Sequence, residues 1–187
     1  MKRKLIKKII FFSFLNKEGT VIETQTVGNP QYFKTFKLSD GSLVNVKLFD
    51  TSGQEQYRSL TENYYKKADC CLLVYDISNK KSFLELKNYY IGKMKEKCKK
   101  NIKVILLGNK TDLEGEGKRE VKSKEGADLA EKNDYIFMET SCLKNTNVAD
   151  AFETLIEDTN IEAKKHGNNN NNFELKENSK KEKFCYF

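Results

Sequence analysis

Asp50-Thr51-Ser52-Gly53-Gln54-Glu55 brings a carboxylate, a glycine and an amide together in one short stretch. The run before it, Leu43-Val44-Asn45-Val46-Lys47-Leu48-Phe49, alternates apolar and polar residues up to an apolar end, the period-two mark of a half-buried strand. The three groups then sit at the carboxyl end of a strand, where open α/β sheets bind ligands. A carboxylate there can hold Mg²⁺ through a water. A glycine lets a backbone N–H approach a phosphate, and a glutamine can orient an attacking water. Asp-x-x-Gly by itself also reads as a turn, because Asp and Gly are common turn residues.

A second stretch separates these readings. Ile102-Lys103-Val104-Ile105-Leu106-Leu107-Gly108 is a near-continuous apolar run, as a central parallel strand requires, and it ends in Asn109-Lys110-Thr111-Asp112. A third run, Tyr135-Ile136-Phe137-Met138-Glu139-Thr140, ends in Ser141-Cys142. These three motifs, in this order on three strand ends, resemble the Ras superfamily of small GTPases. Tyr64-Tyr65-Lys66-Lys67-Ala68 and Leu73-Val74-Tyr75-Asp76-Ile77-Ser78 look most like the Rab branch. The resemblance spans roughly Thr26 to Ala163.

The resemblance implies a guanine-nucleotide switch in intracellular membrane traffic. Asp112 would accept the two N–H donors of guanine's edge, a pattern adenine lacks. Asn109 would bond the neighbouring loops and the base, and the Lys110 stem would cover the ring. Ser141, Cys142 and Leu143 would line the base. Cys142 stands where the family usually has Ala, and Leu143 where it has Lys. Gln54 would orient water, Thr26 and Asp50 would hold Mg²⁺, and the Gly53 N–H would meet the γ-phosphate of GTP. Implied partners are GTP and GDP, effectors, an exchange factor, a GTPase-activating protein and a peripheral membrane surface, in the cytoplasm. Nucleic acid is not among them.

The elements that must position these residues read as an α/β fold with a mostly parallel sheet, and the resemblance implies that it is of the P-loop NTPase type. Tyr32–Leu38 and Leu43–Phe49 form a hairpin across Ser39-Asp40-Gly41-Ser42. Cys70–Asp76 is a buried strand. Ser82-Phe83-Leu84-Glu85 is a capping box opening a helix to about Cys98. Ser123–Asn133 is a helix. Asn147 caps the last helix, whose stripe is Val148, Phe152, Leu155 and Ile156.

The amino terminus departs from the family. Leu5, Ile6, Ile9, Ile10 and Phe14 recur at helical spacing, so residues 1–15 read as a basic and apolar helix. The phosphate loop Gly-x-x-x-x-Gly-Lys-Ser/Thr occurs nowhere in the chain. Counting back from Thr26 at the family's spacing places its lysine on Lys7, its glycines on Met1 and Ile6, and its Mg²⁺ hydroxyl on Lys8. The aromatic that stacks on guanine falls at Gly19. The expectation is therefore a domain over 16–163 without its first strand and phosphate loop, behind a foreign start such as a misread first exon. Charge-assisted hydrogen bonds contribute ~1.5–3 kcal/mol each, and losing ~4 kcal/mol weakens binding about a thousandfold. An alternative is therefore a nucleotide-poor pseudo-GTPase or fragment, acting at most as a protein-binding module.

Charge sits at the ends. Of the formal +7, residues 1–8 contribute five Lys/Arg and no acid, and residues 164–187 six Lys and three Glu, leaving 9–163 at −1. Basic ends on a near-neutral body suit an anionic membrane surface, or simply solvated tails. The five cysteines show no metal-ligand spacing and fit reduced thiols. From Lys164 the chain is Asn- and Lys-rich, so 164–187 reads as a disordered tail. Its Cys185 is followed by two residues instead of the three of a C-a-a-X box, so it is a lipidation candidate only through Rab-type machinery, or a plain thiol.

Overall fold

The computed structural model describes residues 5–13, 31–50 and 65–165. The strands are β1 (Leu5–Ser13), β2 (Gln31–Lys37), β3 (Leu43–Asp50), β4 (Cys70–Asp76), β5 (Lys103–Asn109) and β6 (Ile136–Glu139). The helices are α1 (Lys80–Glu85), which runs through a π turn (Leu86–Tyr90) into α2 (Ile91–Lys97), then α3 (Ser123–Lys132) and α4 (Val148–Lys165), with a 3-10 turn over Thr111–Glu116. The strands form one sheet in the order β2-β3-β1-β4-β5-β6. All neighbours are parallel except the β2–β3 hairpin.

The structure corrects the reading of the amino terminus. Leu5–Ser13 is not helical but the central strand of the sheet, aligned with β3 from Leu5↔Val44 to Phe11↔Asp50 and with β4 from Ile9↔Cys70 to Ser13↔Val74. The first strand is therefore present. Parallel strands in general read as near-continuous apolar runs without strict alternation, and such a run can imitate a helical stripe. The β-branched and aromatic residues Ile9, Ile10, Phe11 and Phe12 have high strand propensity. What the sequence lacks falls after β1. Residues 14–30 alone connect Ser13 to Gln31, and both of these lie at the same end of the sheet, since Ile10 and Gln31 are each aligned with Phe49.

Alternation along β4 divides the core. Cys71, Leu73 and Tyr75 face α1, α2 and α3, meeting Phe83, Leu86, Ile91, Met94, Leu129 and Ala130. Cys70, Leu72 and Val74 face α4, joining Val44, Val46 and Leu48 of β3 against Ala151, Phe152, Leu155 and Ile156. Burying one Leu or Phe fully contributes about 1.5–3 kcal/mol. Gly126 lets α3 lie close to the sheet: a Cβ there would stand 2.4 Å from the Tyr75 hydroxyl and 2.5 Å from the Phe137 ring.

Two caps differ from expectation. Asn79, not Ser82, caps α1, its side chain accepting from the Ser82 N–H. Ser82 turns inward instead, its Oγ accepting from the Asp76 N–H at 3.1 Å and donating to the Asn79 carbonyl at 2.7 Å. Asn147 adopts φ 58°, and its side-chain amide donates to the Glu139 carbonyl at 2.9 Å, while its backbone carbonyl accepts from the Ala151 N–H. It ties α4 to the end of β6 rather than capping by its side-chain oxygen. Among the described residues no helix is long and apolar enough to cross a membrane.

Candidate guanine-recognition site

The parallel strands β3, β1, β4, β5 and β6 end on one side of the sheet, at Asp50, Ser13, Asp76, Asn109 and Glu139. The loops that follow β5 and β6 carry the candidate base-binding residues. They are sewn together by backbone bonds: the Thr140 N–H donates to the Gly108 carbonyl at 2.9 Å, and the Thr111 N–H to the Thr140 carbonyl at 3.1 Å.

Asn109 is buried at the centre. Its Oδ1 accepts from the Thr140 hydroxyl at 3.2 Å and from the Cys142 N–H at 3.3 Å. One amide oxygen thereby fixes the two loops against each other. The N–H of Cys142, a residue that the resemblance places along the base, is turned toward Asn109 in this arrangement. Ser141 is buried and its hydroxyl donates to Asp112 Oδ1, while accepting from the Lys144 N–H at 3.1 Å. Ser141 and Thr146 exchange backbone hydrogen bonds, closing the turn between them. Leu143 projects from that turn and is 82% exposed.

Lys110 takes a left-handed conformation (φ 70°, ψ 37°), directly before the 3-10 turn that carries Asp112. Its ammonium lies 2.8 Å from Asp76 Oδ2. The Asp76 carboxylate is almost fully buried, and its other oxygen accepts from the Ser78 N–H at 2.8 Å and the Ser78 hydroxyl at 2.6 Å. Asp76 is a site residue that the motifs do not single out. Its signal in the sequence is an acid closing the apolar strand Cys70–Tyr75. A second unforeseen clamp is Arg119, whose guanidinium meets both oxygens of Glu139, at 2.7 and 3.2 Å, and the Val121 carbonyl at 3.1 Å. Those bonds to Glu139 hold Arg119 firmly protonated.

The structure thus gathers Asn109, Lys110, Asp112, Ser141 and Cys142, with Leu143 at the rim. Asp50 closes β3 on the same side of the sheet, beside β1. Thr26, Gly53, Gln54 and Cys185 lie outside the described residues, as does the tail beyond Lys165. The donor set fits a guanine edge. A carboxylate accepts only, can take two neighbouring N–H donors, and here is aimed by a buried hydroxyl. For a metal ion, no group of three or more His, Cys, Asp or Glu side chains gathers among the described residues.

Comparison with known proteins shows the family of the chain. The family model described as "Ras family" matches residues 5–161, and so includes β1. The chain is 35% identical to the Ras-related protein Rab-11B of Dictyostelium discoideum over 89% of its own length and 78% of the relative's. It is 34% identical to the Ras-related protein Rab-8B of Pongo abelii, with 88% and 78% covered. It is 36% identical to the Ras-related protein Rab-8A of Bos taurus, with 81% and 72% covered.

Proposed function

Since the chain belongs to the Ras family and is Rab-like within it, we propose that it is a guanine-nucleotide-binding protein of membrane traffic whose recognition is concentrated at the base end of the site. The supporting observation is the Asn109 clamp, which holds the Cys142 and Thr140 loop against the turn carrying Asp112. Asp112 receives the base edge, Ser141 aims Asp112, and Lys110 lends its stem to the ring face while Asp76 anchors its ammonium.

The phosphate end is the weak end. Mg²⁺ bound with GTP or GDP would neutralise phosphate charge, and Thr26 and Asp50 would hold it. Gln54 would orient water, and Gly53 would offer its N–H. The chain contains no Gly-x-x-x-x-Gly-Lys-Ser/Thr. Residues 14–30 must connect β1 to β2 without it. A well-placed Gln54 contributes little when the γ-phosphate is not held in line. We therefore assign weak GTP binding and negligible hydrolysis. The same observation supports a second reading, a nucleotide-poor relative that works through effector-type protein contacts and lies peripherally on a cytoplasmic membrane face, whether or not Cys185 is lipidated.

Competition against labelled GDP tests the first reading. GDP and GTP are expected to displace the label and ATP is not. Asp112→Asn converts one acceptor oxygen into a donor, so it should reject guanine and favour xanthine, which carries an acceptor where guanine has its amino group. Equal displacement by ATP, or an unchanged preference in Asp112→Asn, overturns this reading. Absence of any nucleotide binding leaves the second reading standing.

A further inference from the structure

The order of the strands fixes what a ligand meets beyond its base. With the base on the loops after β5 and β6 and the phosphates toward Asp50 and Gly53, the phosphate chain crosses the carboxyl ends of β4 and β1 on its way to β3. Those ends are Asp76, Ser13 and Asp50. Pairing sets them side by side. Ser13 is aligned with Val74, two residues before Asp76, and Phe11, two residues before Ser13, is aligned with Asp50. The path therefore runs over two acidic residues and a serine, and none of these strand ends is a cation.

The cations around the base loops are already committed. Lys110 gives its ammonium to Asp76 Oδ2 at 2.8 Å. That carboxylate is held in place, because it is almost fully buried and its other oxygen is taken by Ser78. Arg119 is held by Glu139 at 2.7 Å, Lys118 by Glu116 at 2.7 Å, and Lys80 by Glu125. Lys122 and Lys144 make no ion pair among the described residues, but Lys122 leads into α3 and Lys144 sits on the turn after the edge strand β6. The sequences that follow β1 and β3 bring no compensation. Residues 14–30 hold one lysine and two glutamates, and residues 51–64 one arginine and two glutamates. Neither holds the Gly-x-x-x-x-Gly-Lys-Ser/Thr whose backbone N–H groups cradle phosphate.

The base end makes no such demand. Asp112 accepts from N–H donors on the edge of guanine, and those donors are the same in the free base, the nucleoside and the nucleotides. Adding phosphates brings negative charge over Asp76 and Asp50 without a free cation to receive it, and like charges at close range repel. A phosphate chain does not fit these residues. We propose that the site selects uncharged guanine compounds, the nucleoside or the free base, over GDP and GTP. This selectivity rests on the base-recognition reading and ranks ligands by charge, where that reading ranks them by base.

Calorimetric titration of the full chain with guanosine, guanine, adenosine, GDP and GTP, each with and without Mg²⁺, tests it. Guanosine and guanine should bind at least about fivefold more tightly than GDP at about 0.05 M NaCl. Raising NaCl to about 0.5 M should strengthen GDP binding to within about twofold of guanosine, because the opposing charges are screened, and should leave guanosine unchanged. Asp76→Asn removes one carboxylate and frees the Lys110 ammonium, so GDP should gain about fivefold on guanosine. GDP or GTP binding as tightly as guanosine and guanine at low salt, GDP binding that weakens as salt rises, or an unchanged ratio in Asp76→Asn overturns the proposal and leaves the base reading intact. Equal binding of adenosine and guanosine, or no binding of any guanine compound, overturns the base reading and the proposal with it. If Asp76→Asn does not fold, the ligand order and the salt response of the parent chain decide.

Discussion

Lys110 and Asp76 depend on each other unequally. Asp76 is almost wholly buried, whereas the lysine side chain keeps 32% of its surface exposed. Removing the cation strands a buried carboxylate; removing the anion releases the ammonium toward water. Lys110→Met should therefore cost about 2–3 kcal/mol of stability and Asp76→Asn about 1–2 kcal/mol, since Asn keeps an oxygen for the Ser78 N–H. The double variant should cost less than the two together. Denaturant unfolding of the four proteins measures this, and strict additivity would show that the pair carries no coupling. Asn109, Lys110 and Asp112 were legible in the sequence because their types and spacing follow a strand end. Asp76 was not, because nothing local announces that its partner is a lysine brought alongside by strand pairing. Nor could the sequence reveal that Asn109 would turn its oxygen to the Cys142 N–H, which depends on where the loop after β6 folds back.

The helix after β4 shows how an element corrects its own phase. Its buried apolar residues are Phe83, Leu86, Ile91 and Met94, with four residues between Leu86 and Ile91. At about 100° per residue a step of five would turn Ile91 roughly 140° from Leu86, and the π turn over Leu86–Tyr90 narrows that separation. Deleting the exposed Asn88 should restore α spacing while keeping both leucine and isoleucine inside. The thermal midpoint should then stay within a few degrees of the parent; a collapse of the fold would mean the π turn is required. The capping box at Ser82-x-x-Glu85 places the start of the helix too late, since it begins at Lys80. Asn79 won because Ser82 satisfies the strand end at Asp76 instead. β1 was misread for a different reason. Its sequence lacks the strict alternation that identifies a strand, and only its pairing with β3 and β4, distant in sequence, distinguishes it from a helix.

At the scale of the whole molecule, the core is rich in groups that must stay protonated. Burial pushes the Cys98 thiol up to about 11 and the Cys71 thiol well above its ordinary value of 9.0. Burial raises the hydroxyls of Tyr65, Tyr75 and Tyr135 as well. Each group keeps its proton longer in the folded state than in the unfolded one. Stability is therefore full below about pH 9 and lost as pH rises from there toward the folded values. A thermal midpoint flat between about pH 7 and 8.5 and falling above 9 is expected; one that rises between pH 9 and 11 contradicts it. The alternating helices and strands, the hairpin and the α4 stripe could all be drawn from the sequence, whereas the position of β1 could not. That position has a consequence for how the chain is made. The segment at the centre of the sheet is synthesised before both of its partners, and the later of them, β4, ends at Asp76. At about 5–20 residues per second, β1 waits roughly 3–12 seconds for the last of its neighbours to be synthesised, an apolar strand with two open edges. Aggregation of the nascent chain, and a need for a chaperone during translation, follow from placing in the middle a strand that is made before both of its neighbours.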